Sequence, residues 1–343
     1  MNVSFRSFLF VAALAACSVI GVAWLGARQM SMRFLESGYP IWVAKQGILR
    51  DCSFGSVLVL GDSRSEAAII PRDLPLPSAN VSLGGTSPVE TYFFARRALE
   101  CPKPPRLVIY AHSMPSYVRP SEMLWINAAR YGYIGFRDLR QIADSATRSH
   151  DVLFVNLNTH DGLTAIVRDA VYSIGFPSIF VASLVEARGN GRYASNVALE
   201  QKTASSMGHV IYKQPAEKRL VGADADVKAF VPSPLETDYF DKTLAMFAAA
   251  HVKVMLLTIP SAESTMKAIP PALIAAFDQF LLEQSARYSN IDARTSALLP
   301  WPDNLFVDGG HMNEAGAKAF TARLAACLRQ PLDRPITCPL AWQ

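Results

Sequence analysis

The strongest constraint on the fold is a set of short, unbroken apolar runs, each closed by a turn. "SVLVL" (Ser56–Leu60), "RLVIYA" (Arg106–Ala111) and "VKVMLLTI" (Val252–Ile259, stopped by Pro260) show no alternation of polar and apolar residues. A strand that is apolar on both sides must be covered on both sides, which argues for a parallel sheet between layers of helix. Helical patterns lie between the runs at Pro88–Glu100 and Pro234–His251 and after them at Pro271–Tyr288 and Asn313–Arg329, and a shorter strand is expected at Asn80–Leu83. Strands alternating with helices are joined by right-handed crossovers, so the expected fold is α/β, a doubly wound parallel sheet flanked by helices. In such sheets ligands bind at the carboxyl ends of the strands. Gly61, Asp62 and Ser63 follow the first run at one such end.

The N-terminus obeys a different rule. From Ser7 to Ala27 there is no charged residue, and Arg6 and Arg28 bracket the stretch. Roughly 20 apolar residues in a helix span a bilayer core. Two readings fit, an uncleaved signal-anchor helix and a lipoprotein signal with "LAAC" (Leu14–Cys17) as its lipidation site. The apolar run continues through Val19, Ile20, Val22, Trp24 and Leu25, and this full membrane length favours the transmembrane anchor. Outside the span stand Cys52, Cys101, Cys327 and Cys338, which allow three pairings. Cys52 precedes the first strand and Cys101 shortly precedes the next long one, so those two starts are expected side by side. Cys327 and Cys338 bracket a proline-containing tail. The expected bridges are therefore 52–101 and 327–338, in an oxidising compartment such as a bacterial periplasm, with four free thiols of a cytosolic protein as the alternative.

The chain of 343 residues is half apolar, enough for one large α/β core, and its net charge of +4 with no long basic run gives no reason to expect nucleic acid as a partner. The expected organisation is an anchor or signal at 1–28, a juxtamembrane segment without clear pattern at 29–51, an α/β domain at 52–330 and a tail at 331–343. A largely helical insertion or cap interrupts the domain at about 113–231. It combines helical apolar stretches ("LTAIVRDAVYSIGFPSIFVASLVEA") with a polar, glycine-containing part ("RGNGRYASNVALEQKTASSMGH").

A serine hydroxyl becomes a nucleophile when a base takes its proton and an acid orients the base. "NLFVDGGHMNEAGAKAF" (Asn304–Phe320) sets Asp308 and His311 three residues apart on one loop, with Asn313 as a cap for the helix that follows. Ser63, His311 and Asp308 are thus the candidate triad. Asp62 reads as a structural loop carboxylate that accepts backbone N–H groups. Arg64 reads either as a surface cation or as a grip on a substrate anion or carbonyl. His112 and Ser113, after the "RLVIYA" strand, read as buried packing residues or as substrate contacts. His150, His160, His209 and His251 lack partners at metal-ligand spacing, so no metal site and no cofactor is expected. Trp125, Tyr131 and Tyr133 read as packing, or as aromatics facing a sugar groove.

These residues resemble the SGNH (GDSL-type) hydrolases. The family's first block, Gly-Asp-Ser after the first strand, is matched by Gly61, Asp62 and Ser63, and its last, Asp-x-x-His before the C-terminal helix, by Asp308 and His311. A glycine after the second strand lends its N–H to the oxyanion hole; in "NVSLGGTSP", Gly85 is the better match than Gly84. The resemblance implies a flavodoxin-like three-layer fold and an oxyanion hole built from the N–H groups of Ser63 and Gly85. It departs at the third block, where the family has an asparagine and this chain has His112 and Ser113 in "HSMPSY".

With the N-terminal span and the "LPWPDNLFVDGGHMNEAGA" ending, the chain is similar to membrane-anchored SGNH proteins of bacterial exopolysaccharide O-acetylation and teichoic-acid D-alanylation. That similarity implies an inner-membrane serine acyltransferase or esterase with its domain in the periplasm. It would move O-acyl groups, acetyl in the first place, on a secreted polysaccharide such as cellulose or an alginate-like polymer. Its partners would be the acylated glycan or acyl donor and a membrane-bound O-acyltransferase or polysaccharide synthase complex. The alternatives are a plain carbohydrate esterase (deacetylase) and a non-catalytic glycan-binding subunit of a secretion complex.

Overall fold

The computed structural model describes residues 5–119, 123–151, 189–213, 221–294 and 298–330, together with 338, 340 and 341. In chain order the main elements are α1 (Phe5–Gln29), α2 (Gly38–Arg50), β1 (Val57–Gly61), α3 (Ser63–Ala68), β2 (Ser78–Asn80), α4 (Pro88–Leu99), β3 (Leu107–Ala111), α5 (Phe136–Arg148), α6 (Gly189–Ser205), α7 (Pro234–Ala249), β4 (Lys253–Leu256), β5 (Ser261–Ala262), α8 (Pro271–Ala286), β6 (Ile291–Arg294), β7 (Pro300–Trp301) and α9 (Glu314–Leu328).

The apolar runs become the centre of a five-stranded sheet in the order β2-β1-β3-β4-β6. Every pairing in it is parallel, with Val57 opposite Leu107 and Gly61 opposite Ala111. All five residues of β1 and all five of β3 are buried, as the absence of alternation requires. Successive side chains point to opposite faces, and the core divides accordingly. Leu58, Leu60, Val108, Tyr110, Val254 and Leu256 pack with Phe93 and Phe94 of α4 and Tyr239, Phe240 and Phe247 of α7. Val57, Val59, Leu107, Ile109 and Met255 pack on the other face with Trp301 and with Phe320, Leu324 and Leu328 of α9. At about 1.5–3 kcal/mol for each large apolar side chain buried, these two layers carry the fold and leave the strand ends free for polar chemistry.

Strand order reverses between β1 and β3, since β2 lies on one side of β1 and β3, β4 and β6 on the other, while β5 and β7 pair in a separate two-stranded sheet. The crevice outside the carboxyl ends at such a reversal is where doubly wound sheets place their sites.

Several expectations shift in detail. The second strand is Ser78–Asn80 rather than Asn80–Leu83. Its pairing nevertheless runs on, because Val81 N donates to the Val59 carbonyl at 2.9 Å and Leu83 N to the Gly61 carbonyl at 3.0 Å. The patternless stretch before the domain contains α2, and Trp42, Ile48 and Leu49 join the same core as Leu58. The glycine-containing polar part of the insertion is a helix, α6. Its polar residues have work to do: Asn196 Nδ2 donates to the carbonyls of Met32 and Leu35, both at 2.9 Å, and Arg192 Nη1 to that of Phe34 at 2.9 Å. These carbonyls lie in and just after a short helical turn that follows α1, where backbone carbonyls have no partner within the helix. The apolar stretch 163–187 lies outside the described residues.

α1 is long and apolar enough to cross a membrane, and none of its residues is buried in the protein. Cys52 is bonded to Cys101 and Cys327 to Cys338, with Cα–Cα separations of 5.8 and 5.2 Å, the pairings the sequence predicts. Cys17 in α1 is free and exposed.

Candidate active site

The site begins where β1 stops. A Cβ on Gly61 would overlap the carbonyl oxygen of Ala111, so only glycine lets the ends of β1 and β3 come this close. Asp62 then caps α3, its Oδ1 accepting from Arg64 N at 3.0 Å. The other oxygen, Oδ2, accepts from Ser113 N at 2.8 Å, Ser113 Oγ at 2.5 Å and Ser116 Oγ at 3.1 Å. Burial pushes the Asp62 carboxyl up, but the nearby His112 and Arg64 and the Ser113 hydrogen bonds outweigh it and hold the pKa below the usual value. Asp62 thus ties the end of β3 to the first turn of α3 and sets Ser63 at the corner.

His311 arrives from the far end of the chain. Phe306 and Met312 form an antiparallel bridge, and Val307 N donates to the His311 carbonyl at 2.9 Å, closing a tight loop over Asp308, Gly309 and Gly310. Thr265 Oγ1 donates to the Gly309 carbonyl at 2.7 Å and accepts from Gly222 N at 2.8 Å, fixing the loop from outside. Asn313 accepts from Gly316 N at 3.0 Å and caps α9. The loop lies hard against Arg64, for a Cβ on Gly310 would stand 3.3 Å from Arg64 Nε.

The three candidate residues form one line. Ser63 Oγ is 2.7 Å from His311 Nε2, and His311 Nδ1 is 2.8 Å from Asp308 Oδ2. Asp308 Oδ1 accepts from the N–H groups of Gly310 and His311, both at 2.8 Å. Burial pushes the Asp308 carboxyl up, yet the hydrogen bond and charge of His311 and these two N–H groups overcome it and bring the pKa to about 2. An ionised carboxylate can only accept, so when the ring is neutral Nδ1 carries its proton and Nε2 offers a lone pair to the Ser63 hydroxyl. The side chains of His311 and Asp308 are 25% and 27% exposed, so the line opens to solvent.

The two glycines after β2 are both shaped by the site. Gly85 has φ +74° and is covered by Met123, whose Cγ would lie 2.5 Å from a Cβ there. A Cβ on Gly84 would lie 3.7 Å from Ser63 Cβ, which puts this glycine directly beside the serine. Thr86 Oγ1 donates to the carbonyls of Gly61 at 3.0 Å and Leu83 at 2.8 Å and pins the turn to the end of β1.

Where the resembling family has an asparagine, Ser113 gives both its donors to Asp62, and His112 Nε2 lies 2.8 Å from Thr91 Oγ1. His112 is buried, which lowers its pKa to about 4 although Asp62 lies nearby. Arg64 is 5% exposed, its guanidinium paired with Asp224 and 3.1 Å from Ser261 Oγ. Ser113 thus holds the turn that carries Ser63, and Arg64 packs against the loop that carries His311.

Four residues at or behind the site had no prior claim on attention. Asp224 receives Arg64, and Tyr212, Glu66 and Lys45 lie behind His311 and Ser63. Lys45 leaves a trace in the sequence, a lone cation inside the mostly apolar "IWVAKQGIL"; Tyr212 leaves none. No protein-family model and no curated protein matches the chain.

Proposed function

We propose that this chain is an SGNH-type serine acyltransferase or esterase, anchored to the inner membrane by α1 with its domain in the periplasm. In this reading it moves acyl groups, acetyl first, on a secreted polysaccharide. One observation carries the proposal: the unbroken line from Ser63 through His311 to Asp308, with donor and acceptor roles fixed by the ionised Asp308. The disulfides and α1 support an oxidising, membrane-attached setting.

In the proposed reaction Ser63 Oγ attacks the ester carbonyl as His311 Nε2 takes its proton. Asp308 holds the Nδ1–H and stabilises the imidazolium that forms. By the family resemblance, the N–H groups of Ser63 and Gly85 would meet the negative charge on the carbonyl oxygen. The imidazolium returns its proton to the leaving alcohol, and an acyl-Ser63 ester remains. A glycan hydroxyl, deprotonated by the same Nε2, then attacks this ester; the bond from the acyl carbon to Ser63 Oγ breaks, the imidazolium returns the proton to Oγ, and the glycan leaves with the acyl group. By resemblance, a membrane-bound O-acyltransferase would supply the acyl group. Losing one oxyanion donor costs roughly 3–4 kcal/mol in such a transition state, so a site without the family's asparagine is expected to turn over slowly unless another donor replaces it.

Hydrolysis is the second reading, and the exposure of His311 and Asp308 favours it, because water reaches the line. The test is incubation of the full chain in detergent with p-nitrophenyl acetate and cello- or mannuronate oligosaccharides, followed by mass analysis of the sugars. Acetylated oligosaccharide, absent with Ser63→Ala, supports transfer. Acetate alone, again lost with Ser63→Ala, supports the esterase. Neither product, in the wild type, contradicts both.

A further inference from the structure

One aromatic contact lies outside the three-residue line and touches its central member. The ring of Tyr212 stacks on the imidazole of His311, with centroids 4.7 Å apart and planes inclined by 24°. The Tyr212 hydroxyl donates to Glu66 Oε2. Glu66 Oε1 accepts from Lys45 Nζ at 2.6 Å, and Lys45 also donates to the Ser82 carbonyl. The Lys45 and Glu66 side chains are 0% and 1% exposed. Four separate segments meet here: α2 brings Lys45, α3 brings Glu66 three residues after Ser63, the stretch after α6 brings Tyr212, and the terminal loop brings His311.

The arrangement answers a need the triad leaves open. The hydrogen bonds to Asp308 and Ser63 lie at opposite edges of the imidazole, in its plane. They fix the ring within that plane but resist its tilt about the Nδ1–Nε2 direction only weakly. A face contact resists tilt, and Tyr212 supplies one. A protonated imidazole against an aromatic face is also favoured over a neutral one, and the imidazolium is the form His311 takes when Ser63 attacks. A tyrosine is useful in this role only if it is itself held. Glu66 holds its hydroxyl, and Lys45 balances Glu66 so that the carboxylate is not left alone in the core. Gly84 makes room, because a Cβ there would stand 2.9 Å from the Tyr212 hydroxyl.

We propose that Tyr212 is a positioning residue for His311, kept in place by the buried Lys45–Glu66 pair, so that the geometry of the site depends on α2, the helix between α1 and the sheet. This inference rests on the catalytic reading of Ser63, His311 and Asp308. It makes the segment before the α/β domain a working part of the site and not only a tether.

The test uses the full chain in detergent with p-nitrophenyl acetate, comparing wild type, Tyr212→Leu and Tyr212→Phe, with ring-labelled histidine read by NMR. The ring current of Tyr212 shifts the His311 protons; their signal among the six histidines is identified by its loss in His311→Ala. Tyr212→Leu is expected to lower kcat on the order of 10-fold with KM within about two-fold, the size of a lost aromatic–cation contact. It is also expected to move the His311 ring signals downfield. Tyr212→Phe, which keeps the ring and loses the bond to Glu66, is expected to fall between wild type and Tyr212→Leu in both kcat and ring shift, and full wild-type values for it would remove the Lys45–Glu66 pair from the inference. A melting temperature equal to wild type excludes misfolding as the cause. Wild-type turnover together with unchanged kcat and unchanged His311 signals in Tyr212→Leu overturns the inference alone. Absence of Ser63-dependent turnover in the wild type overturns the catalytic reading on which it rests.

Discussion

Asp308 stands at the rim of the sheet with its side chain 27% exposed, whereas Glu90 lies at the start of α4 with no surface in water. Burial pushes both carboxyls up. At Asp308 the bond and charge of His311 and two backbone N–H groups reverse the push, and the pKa falls to about 2. At Glu90 the push prevails: Oε2 accepts from Ser87 N at 2.9 Å and Ser87 Oγ at 2.6 Å, and the pKa still rises to about 7. Its neighbour Glu236 is also raised well above the ordinary value, by burial and then by the charge of Glu90. Among the described residues Glu90 Oε1 and Glu236 Oε1 have no hydrogen-bond partner. The two regions therefore use the same chemical group in opposite ways. A carboxyl given a partner that can become a cation is held ionised and can orient a base. A carboxyl given only a helix start is held near neutrality and serves as a cap. What surrounds the acid, more than how deeply it is buried, separates the site from the scaffold.

The comparison breaks most visibly in activity. Asp308→Asn, which keeps the shape and removes the charge, is expected to lower kcat for p-nitrophenyl acetate about 10³-fold or more, because the amide no longer fixes the Nδ1–H form of His311. Glu90→Gln is expected to leave kcat within about two-fold. Equal losses in the two variants, at equal melting temperatures, would erase the distinction between the two regions.

Stability sharpens it with the opposite sign. Glu90 has a folded pKa of about 7, above the ordinary value of 4.5, so its contribution is fully present below 4.5 and is lost as pH rises through 7. Glu90→Gln stays neutral, and at pH 8 it is expected to stabilise the fold on the order of 3 kcal/mol, or roughly 5–10 °C in melting temperature. The gain is expected to vanish at pH 4.5, which thermal melts at the two values would show. Asp308 runs the other way: its contribution is present above 3.8 and is lost only as pH falls through about 2. Asp308→Asn is therefore expected to destabilise slightly at neutral pH, by less than the shift alone implies because the pair is partly exposed.

The same contrast explains what the sequence reveals. The sheet was legible because its strands are continuous apolar runs and their parallel pairing follows from alternation with helices, whereas the order β2-β1-β3-β4-β6 is given by the structure. The triad was legible because each half is local: Ser63 follows a strand end directly, and Asp308 and His311 share a loop of four residues. The bridge of Cys52 to Cys101 follows from two strand starts that must be neighbours once β1 pairs with β3. The supports of the site were not legible. Lys45 meets Glu66 and Glu66 meets Tyr212 across long stretches of chain, and of the three only Lys45, a cation among apolar residues, leaves a mark in the sequence. α2 escaped because Lys45 interrupts its apolar face, and α6 because it packs against α2 and the turn after α1, where small and polar side chains such as Asn196 are what the contact needs. Long-range polar pairs have no period, so no pattern along the chain announces them.

The central claim is that Ser63 is an activated nucleophile, and intact-mass analysis of the full chain after brief exposure to p-nitrophenyl acetate tests it most directly. The account predicts a single added acetyl group, mapped to Ser63 by peptide analysis, absent in Ser63→Ala and strongly reduced in His311→Ala. Acetylation spread over surface lysines, equal in all three proteins and accompanied by no turnover in the wild type, would contradict it.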